Sequence, residues 1–417
     1  MAIPFRFIHC GDLHLGAPFQ RLHGLREHIA EQLVKATYNA FSNIIDLAIQ
    51  ERVQAILISG DIYDSEYHNM EAQVRFVREL ERATEKGIAV FIVFGNHDPM
   101  EAWKTKVSFP KGVHVFSAYE VERQSLLMGG EEVAAIYGQS HATKEIGDDL
   151  AARFRAQAKD HYAIGLLHAS VGGYEGTAYA PTTLDVLRDA GMDYWALGHI
   201  HKRTVINENP YVVYPGNPQG LKRNEEGAKG CYLVSVGANG HTEITFHETS
   251  AIRLETVEID ISQLTKVSDI SEMIRHKKKW IASKVRRPLL LRIVFVGEGP
   301  LATLCADAST LGVWLEEAQG EVQGQYGLLM VYAMENQTRP PLDLEARRAL
   351  PDLVGDYLAA YDHSVAQEDL KAMLESRTEV KHLKSYRHLL SDDLVERALK
   401  RAEREGVLRL LGDHYED

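Results

Sequence analysis

The chain has 417 residues, more than one hydrophobic core usually holds, so we expect two or three domains. Hydrophobic residues make up 45% of it and charged residues 25%, as in soluble globular proteins, and no stretch is apolar over the length of a membrane span. The N-terminal apolar run is too short for a signal peptide, so we expect a cytoplasmic protein with no membrane contact. The net charge of −13 argues against binding nucleic acid by overall charge and leaves a local basic groove as the alternative.

Three cysteines stand far apart in the sequence, at Cys10, Cys231 and Cys305. Their odd number and wide spacing exclude a disulfide framework and a cysteine zinc site, so we expect buried structural thiols. The chain also carries 19 histidines, which raises the question of whether several of them converge on a metal ion.

Short apolar runs rich in β-branched residues predict strands along the first part of the chain. They lie at 5–10, 55–59, 88–94, 133–137, 162–167 and 194–197. Apolar residues at helical spacing over 33–47 and 74–83 predict helices between them. This alternation predicts a layered α/β domain, with a sheet covered on both faces, over residues 1–250.

Beyond residue 250 the pattern changes. Predicted strands at 289–296 and 328–333, with helices at 270–283 and 311–318, indicate a small α+β domain over residues 251–338. Residues 339–417 are charged, poor in strands and helical in pattern, which is typical of a helical addition or a segment that docks on a partner.

Each of the first three strands is followed by polar side chains. Asp12 and His14 follow the first, Asp61 follows the second directly after a glycine, and the third runs into Asn96, His97 and Asp98. Residues two apart on extended backbone point the same way, so we expect Asp12 and His14 to converge. Each group alone has an ordinary structural alternative, such as a helix cap, a turn or a surface histidine.

Two further strands end in histidine. His168 ends the apolar run near 162–167, and His199 and His201 follow the run at 194–197. Since ligands bind at the carboxyl edge of an α/β sheet, five such strand ends favour one shared site over five separate structural roles. A mixed set of carboxylate, amide oxygen and imidazole suits Mn, Fe or Zn better than Mg or Ca, and the number of ligands fits two metals.

The order of the motifs GDxH, GDxxD, GNHD, a lone His and GHxH is similar to that of the calcineurin-like metallophosphoesterase superfamily. Within it, "FIHCGDLHLG", "ILISGDIYD" and "DYWALGHIH" resemble the SbcD-type DNA repair exonucleases, and most closely their bacterial YhaO-like branch. The resemblance covers Asp12 to His201. It implies a four-layer α/β/β/α metallophosphoesterase sandwich, followed by a small α+β capping domain and a helical C-terminal tail.

The resemblance also implies the metal ligands and the reaction. Two divalent cations, Mn with Fe or Zn as alternatives, would share Asp61, polarise the phosphate and activate water. His97 would stabilise the phosphate or protonate the leaving group, and Asp98 would accept a hydrogen bond from His97 and orient it. One cation would be held by Asp12, His14, Asp61 and His201, and the other by Asp61, Asn96, His168 and His199.

Three classes of function compete for such a site. A DNA nuclease is favoured by the SbcD-like motifs and by a basic cluster at 275–279 with Lys284, Arg286 and Arg287 beside Trp280, which could equally be a solvated helix face. A small-molecule phosphodiesterase or phosphatase of the same superfamily is the alternative that the acidic net charge suits. The third class, a non-enzymatic scaffold, is disfavoured because a scaffold has no physical need for a buried charged cluster.

The resemblance further implies partners. SbcD-type enzymes form homodimers through helices of the nuclease domain and act with a coiled-coil ATPase of the SbcC kind, so DNA, a second copy and such an ATPase are the expected partners. Helix 68–83 is the candidate dimer helix and the tail from residue 340 the candidate docking region. The role of Asp64 stays open, because the family varies between Asp and His at that place. The role of the loop Tyr214–Gly220 also stays open, either as a turn or as a wall of the metal site.

Overall fold

The computed structural model describes residues 3–19, 27–64, 70–101, 108–172, 179–319, 323–324, 326–367 and 392–411. It divides into two compact units. The first holds residues 1–257, 278–292 and 319–333, and the second holds 258–277, 293–318 and 334–417. The division into three domains predicted from the sequence stays a prediction.

The first unit contains two six-stranded mixed sheets. In the first sheet the four strands β1 to β4 are parallel, and two antiparallel strands continue the sheet beyond β1. Its strands, in spatial order, are β14 (Thr242–Glu248), β13 (Gly230–Val236), β1 (Phe5–Cys10), β2 (Ala55–Ser59), β3 (Ala89–Val93) and β4 (Val113–Val115).

The second sheet has a parallel centre flanked by an antiparallel strand at each edge. A short separate pair, β8 (Ser170–Val171) and β9 (Pro181–Thr182), follows its central strand. The strands of the second sheet, in spatial order, are β11 (Thr204–Glu208), β12 (Tyr211–Tyr214), β10 (Tyr194–Gly198), β7 (Ala163–His168), β6 (Glu131–Gln139) and β5 (Glu122–Met128).

The two sheets pack face to face, and helices cover their outer faces. Phe7 and Leu57 of the first sheet share one core with Leu166 and Tyr194 of the second. The outer face of the first sheet packs against α1 (Glu27–Gln50) and α2 (Met70–Thr84). The outer face of the second packs against α3 (Leu184–Asp189) and a 3₁₀ turn at Ala151–Arg153. The expected four-layer α/β/β/α architecture is confirmed.

Burial on both faces explains why the strands read as continuous apolar runs. In β1, Phe7 points between the sheets while its neighbour Ile8 packs under the helices, and both are fully buried. The helices pack through one stripe each, as with Tyr38, Phe41 and Ile45 of α1. Each large apolar side chain buried in this way contributes about 1.5–3 kcal/mol to stability.

The strand registers bring the polar strand ends into line. Cys10 of β1 pairs with Ile58 of β2, and Ser59 of β2 pairs with Val93 of β3. In the second sheet Gly198 of β10 pairs with His168 of β7. Because these strands are parallel within each sheet, their carboxyl ends finish side by side and the loops that follow start from one edge.

The rest of the described chain forms a smaller sheet and several helices. The sheet has the order β15 (Arg253–Asp260), β16 (Leu289–Glu298), β18 (Gly327–Arg339), β17 (Gln323–Gly324). Inside the second unit, Trp314 packs on Phe295 with ring centroids 5.6 Å apart. The helices are α4 (Val267–Val285), α5 (Ala302–Ala306), α6 (Ala308–Gln319), α7 (Leu344–Arg348), α8 (Leu353–Gln367) and α9 (Asp392–Leu411).

Two expectations from composition can be compared with the fold. Cys10, Cys231 and Cys305 are all buried and free, as expected of structural thiols. Among the helices that the structure describes, none combines the length and apolarity that crossing a membrane requires.

Candidate metal centre

All seven side chains expected to bind metal lie at one place, beyond the carboxyl ends of β1, β2, β3, β7 and β10. We divide six of them into two groups, named by one member each. The Asp12 half consists of Asp12, His14 and His201, whose possible ligand atoms all lie within 4.8 Å of one another. The Asn96 half consists of Asn96, His168 and His199.

In the Asp12 half, two imidazoles face each other. His14 Nε2 lies 3.1 Å from His201 Nε2, and the ring centroids are 4.9 Å apart. The Asp12 carboxylate accepts the backbone N–H of His199 at 2.9 Å, which ties this half to the loop that follows β10.

In the Asn96 half, two imidazoles converge on one amide oxygen. His168 Nε2 lies 2.9 Å and His199 Nδ1 3.2 Å from Asn96 Oδ1. Asp61 lies between the halves, since its Oδ2 is 3.4 Å from His168 Nε2 and 3.9 Å from His14 Nε2. That position matches the one expected of a carboxylate shared by two cations, although the ligand assignment itself stays a prediction.

The route by which these side chains converge differs from the one expected. Asp12 and His14 do not lie on extended backbone, because their φ angles are 50° and 43°, and Asp61 and His199 have φ angles of 50° and 102°. All four occupy the left-handed region, which is uncommon outside glycine and is concentrated at functional sites. Alternation along a strand was therefore the wrong reason for the convergence of Asp12 and His14.

Gly60 allows the close approach of the two sheets at this edge. It has a φ of 94°, and a Cβ added there would lie 2.6 Å from His168 Nδ1. A side chain at this position would therefore push the His168 ring out of the centre. Gly60 therefore allows both a sharp turn off the strand and a close contact across the sheets.

His168 provides a test of whether a cation fits. Its Nδ1 lies 2.9 Å from the carbonyl oxygen of Ser59, which can only accept, so the proton sits on Nδ1 and Nε2 carries a lone pair. That lone pair faces the oxygens of Asn96 and Asp61, so when Asp61 is ionised three acceptors point at one another with no hydrogen between them. Such an arrangement suits a divalent cation, and the mixed oxygen and nitrogen donors fit one.

The charges of the centre point the same way. Burial raises the pKa of Asp12, and burial together with the nearby Asp98 and Asp12 raises that of Asp61 well above its ordinary value. Burial lowers the pKa of both His14 and His168. Two buried carboxyl groups next to neutral imidazoles leave a cation as the natural positive partner.

Asp98 has a different role from the one expected. Its fully buried carboxylate accepts backbone N–H groups of Ile62 at 2.7 Å, Tyr63 at 3.3 Å and Gly95 at 2.8 Å. The loops after β2 and β3 are thus tied together by Asp98. Burial raises its pKa to about 6 even though three N–H donors favour the charged form.

The partner of His97 is Asp64. His97 Nδ1 lies 3.3 Å from Asp64 Oδ1, and its backbone N–H donates to Asp61 Oδ1 at 2.9 Å. The expectation that Asp98 orients the His97 ring is wrong, because the His97 ring is paired with Asp64, and among the described residues Asp98 accepts only from backbone N–H groups. The His97 side chain is 34% exposed, so it stands at the open side of the centre.

Glu225 is a functional residue that the sequence did not reveal. Its Oε1 accepts from His201 Nδ1 at 2.7 Å, and its Oε2 accepts from the N–H of Leu221 at 2.8 Å and from Asn217 Nδ2 at 2.9 Å. Although burial favours the protonated form, the His201 hydrogen bond and charge lower the pKa of Glu225 to about 2. A carboxylate behind a histidine ligand fixes its tautomer and strengthens it as a base.

The loop Tyr214–Gly220 braces this arrangement and is more than a turn. Gly216 has a φ of 74°, and a Cβ there would lie 2.7 Å from the carbonyl oxygen of His201. That carbonyl also accepts from Lys229 Nζ at 2.9 Å. The position of His201 is thus fixed from its backbone and from its ring.

His141 is a second residue that sequence reasoning missed. It is fully buried, its Nε2 lies 2.7 Å from the carbonyl oxygen of His168, and its ring is perpendicular to that of His168 at a centroid distance of 5.3 Å. Burial lowers its pKa to about 4, so it is neutral and donates from Nε2. No local pattern marks it, because it follows the strand β6, and none of the expected metal ligands lies directly after that strand.

The centre opens into a cavity of about 770 Å³. Asp61, His97, His199 and His201 line one side of it. The rest of the lining consists of residues 202–203, 222 and 224–229, and it includes the exposed basic side chains Lys202, Arg203 and Lys222.

The basic cluster expected at 275–279 with Lys284, Arg286 and Arg287 is partly used for structure. Arg287 donates to the backbone oxygens of Glu248 at 3.1 Å and Ser250 at 3.3 Å, and Lys278 is buried. Trp280, by contrast, is 47% exposed.

Comparison with known proteins gives two family matches. Residues 5–203 match the family described as calcineurin-like phosphoesterase, and residues 255–339 match the middle domain of metallophosphoesterase YhaO. The uncharacterized metallophosphoesterase YhaO of Bacillus subtilis is 34% identical over 82% of this chain and 84% of its own length.

More distant relatives carry the name DNA double-strand break repair protein Mre11. The one from Sulfurisphaera tokodaii is 29% identical over 56% of this chain and 60% of its own length. The one from Sulfolobus acidocaldarius is 21% identical over 66% of this chain and 72% of its own length.

Proposed function

This chain belongs to the calcineurin-like phosphoesterase family of metal-dependent hydrolases, and from that premise we propose that it is a DNA nuclease of the SbcD type. The observation that carries the proposal is the position of the metal centre, which lies at the floor of an open cavity with basic side chains on one wall. A polyanionic phosphodiester fits such a surface. Relatives named as DNA double-strand break repair proteins support the choice of DNA.

The seven ligand residues would hold two divalent cations, which polarise phosphate oxygens and make water a nucleophile near neutral pH. We propose Mn as the metal, because imidazole, amide and carboxylate donors together suit Mn better than Mg or Ca. Asp61 would contribute to both halves, since it lies within 4 Å of a histidine of each.

His97 would act on the substrate itself. It lines the cavity without belonging to either half of the centre, and Asp64 holds its Nδ1. Its Nε2 is then free to face a phosphate in the cavity. When water attacks phosphorus and the P–O bond to the leaving sugar breaks, His97 would give a proton to the leaving oxygen.

We also propose that two copies pair through α1 and α2. A groove of about 410 Å³ runs between these helices and is lined by Tyr38, Phe41 and Phe76. Val74 in this groove and Met70 at the start of α2 are 51% and 46% exposed, which is unusual for apolar side chains unless a partner covers them. The groove also carries charges of both signs, including Arg75 and Glu79, as a self-complementary contact needs.

For the helical tail we propose docking on a coiled-coil ATPase of the SbcC kind. Its helices α8 and α9 pack together through Leu358 and Val407. Leu353 remains 67% exposed and Leu410 39% exposed, so the pair has apolar surface left for a partner.

The function is tested with purified, Mn-loaded protein given linear duplex DNA, single-stranded DNA and bis(p-nitrophenyl) phosphate. We expect hydrolysis of all three, or of the small ester and one form of DNA. The Asp61→Ala variant serves as the control for contaminating nucleases and should cleave none of them.

Cleavage of the small ester alone at modest salt, with both DNA forms intact, would refute the nuclease proposal. That result would instead favour a small-molecule phosphodiesterase or phosphatase with the same metal centre. Cleavage of DNA by the Asp61→Ala variant would assign the activity to a contaminant.

A further inference from the structure

The cavity wall beside the metal ligands carries positively charged side chains. Lys202, Arg203 and Lys222 are exposed on it, and none of the three has an ion-pair partner among the residues that the structure describes. The two carboxylates of this wall are already used. Glu225 holds His201, and Glu226 accepts from Arg292 at 2.9 Å.

Arg203 is held in place for binding an anion. Its guanidinium carbon lies 3.7 Å from the centroid of the Phe246 ring, so the planar group is stacked and its orientation is restricted. A stacked guanidinium still presents N–H groups at its edge, and these match two oxygens of one phosphate.

The distance between Arg203 and the metal centre is also fixed. Arg203 comes two residues after His201, so the two α-carbons are separated by at most about 7 Å. The Gly216 backbone supports both, because a Cβ there would lie 2.7 Å from the His201 oxygen and 2.9 Å from the Arg203 nitrogen. Arg203 is therefore held close to the metal ligand His201.

We propose that Lys202, Arg203 and Lys222 form a subsite for the phosphate next to the scissile one in a nucleic-acid strand. This subsite rests on the proposed function, since it presumes that a phosphodiester is hydrolysed at the metal centre. It gives the site its substrate class, because an isolated phosphate ester has no neighbouring phosphate to place there. The chain selects a polynucleotide although its net charge is −13.

The test compares two substrates of the full-length, Mn-loaded protein. A thymidine dinucleotide contains a single phosphate, whereas a thymidine decanucleotide supplies neighbouring phosphates on both sides. For each of Lys202→Gln, Arg203→Gln and Lys222→Gln, we expect the ratio of kcat/KM for the decanucleotide to kcat/KM for the dinucleotide to fall about tenfold, the size of one lost charged hydrogen bond. The salt dependence of decanucleotide binding should weaken by about one charge per substitution.

Two further variants sharpen the test. Lys86→Gln removes an exposed lysine just before β3, at the opposite edge of the sheet, and should leave the ratio unchanged. Arg203→Lys keeps the charge and loses the planar fork, so its ratio should lie between those of the parent protein and Arg203→Gln.

The outcomes separate the two proposals. If all three variants lower kcat/KM equally for both substrates, or if Lys86→Gln lowers the ratio as much as they do, the subsite is refuted while the nuclease stands. If the parent protein hydrolyses bis(p-nitrophenyl) phosphate and cleaves neither nucleotide, the nuclease proposal itself is refuted.

Discussion

The two halves of the metal centre hold their histidines with different partners. In the Asp12 half, His201 Nδ1 faces the Glu225 carboxylate at 2.7 Å, and in the Asn96 half, His168 Nδ1 faces the carbonyl of Ser59 at 2.9 Å. Burial acts to lower the pKa of both rings. For His201 the Glu225 hydrogen bond and the Asp12 charge outweigh burial and raise its pKa, whereas that of His168 stays well below its ordinary value.

Because of this difference, we expect the two halves to respond differently to mutation and to exchange their cations at different rates. The brace of His201 is a side chain that mutation can remove, and the His201 side chain is 24% exposed. The brace of His168 is backbone, and His168 is fully buried. We therefore expect the Asp12 half to exchange its cation faster and to be the half that a substitution can weaken alone.

The largest effect should come from removing the carboxylate between the halves. We expect Asp61→Ala to lose both cations and to lower kcat/KM for bis(p-nitrophenyl) phosphate by about a thousandfold or more. Elemental analysis measures the metal content, and Asp185→Ala, on the exposed surface of α3, is the control. Retention of two cations by Asp61→Ala would show that the halves do not share it.

Substitution of His97 should lower turnover without loss of metal, which would distinguish His97 from the ligands of both halves. We expect His97→Ala to keep two cations and to lower kcat about 100-fold or more, since it loses the proton donor. Asp64→Asn should have a smaller effect, because it only weakens the orientation of the His97 ring. A His97→Ala protein that loses metal would make His97 a ligand and would contradict its separate role.

Removing the Glu225 charge should affect one half only. We expect Glu225→Gln to weaken the binding of one cation about 10- to 100-fold while the second stays bound. Titration of metal-free protein with Mn gives the two affinities. Equal weakening of both sites would contradict the division of the centre into independently braced halves.

Asp98 ties the loop that follows β2 to the loop that follows β3. In Asp98→Asn an amide N–H₂ replaces one of the oxygens that accept backbone N–H groups, so we expect the free energy of unfolding to fall by about 2 kcal/mol. Urea unfolding with chelator present measures this without the contribution of metal. A change in metal affinity with unaltered stability would mean that Asp98 acts on the ligands directly.

Acid should reduce the contribution of Glu225 in a defined direction. Its folded pKa of about 2 lies below its ordinary value of 4.5, so its charge stabilises the fold above 4.5, and this contribution is lost as the pH falls from 4.5 towards 2. We expect the difference in free energy of unfolding between the parent protein and Glu225→Gln to shrink over that range in metal-free samples. A difference that stays constant would show that the Glu225 charge does not stabilise the fold.

Much of the fold could be predicted because the signals are local. The apolar runs at 5–10 and 55–59 became β1 and β2 with the same bounds, since strands buried on both faces must be continuously apolar. The apolar stripe of α2 was visible because a helix that packs through one face repeats its apolar residues every three or four positions. The two-sheet arrangement came only through resemblance, because strand runs alone do not say which strands pair.

The candidate site, too, could be predicted from the sequence only in part. The sequence by itself placed Asp12, Asp61 and Asn96 at strand ends, because polar residues directly after a buried strand must emerge at the edge of its sheet. Only the tertiary structure decided which of them touch. Glu225 reaches His201 across 24 residues, and Asp98 turns to three backbone amides and leaves His97 to Asp64. Hydrogen bonds between loops depend on how the strands align those loops in space, and no periodicity in the chain records that alignment.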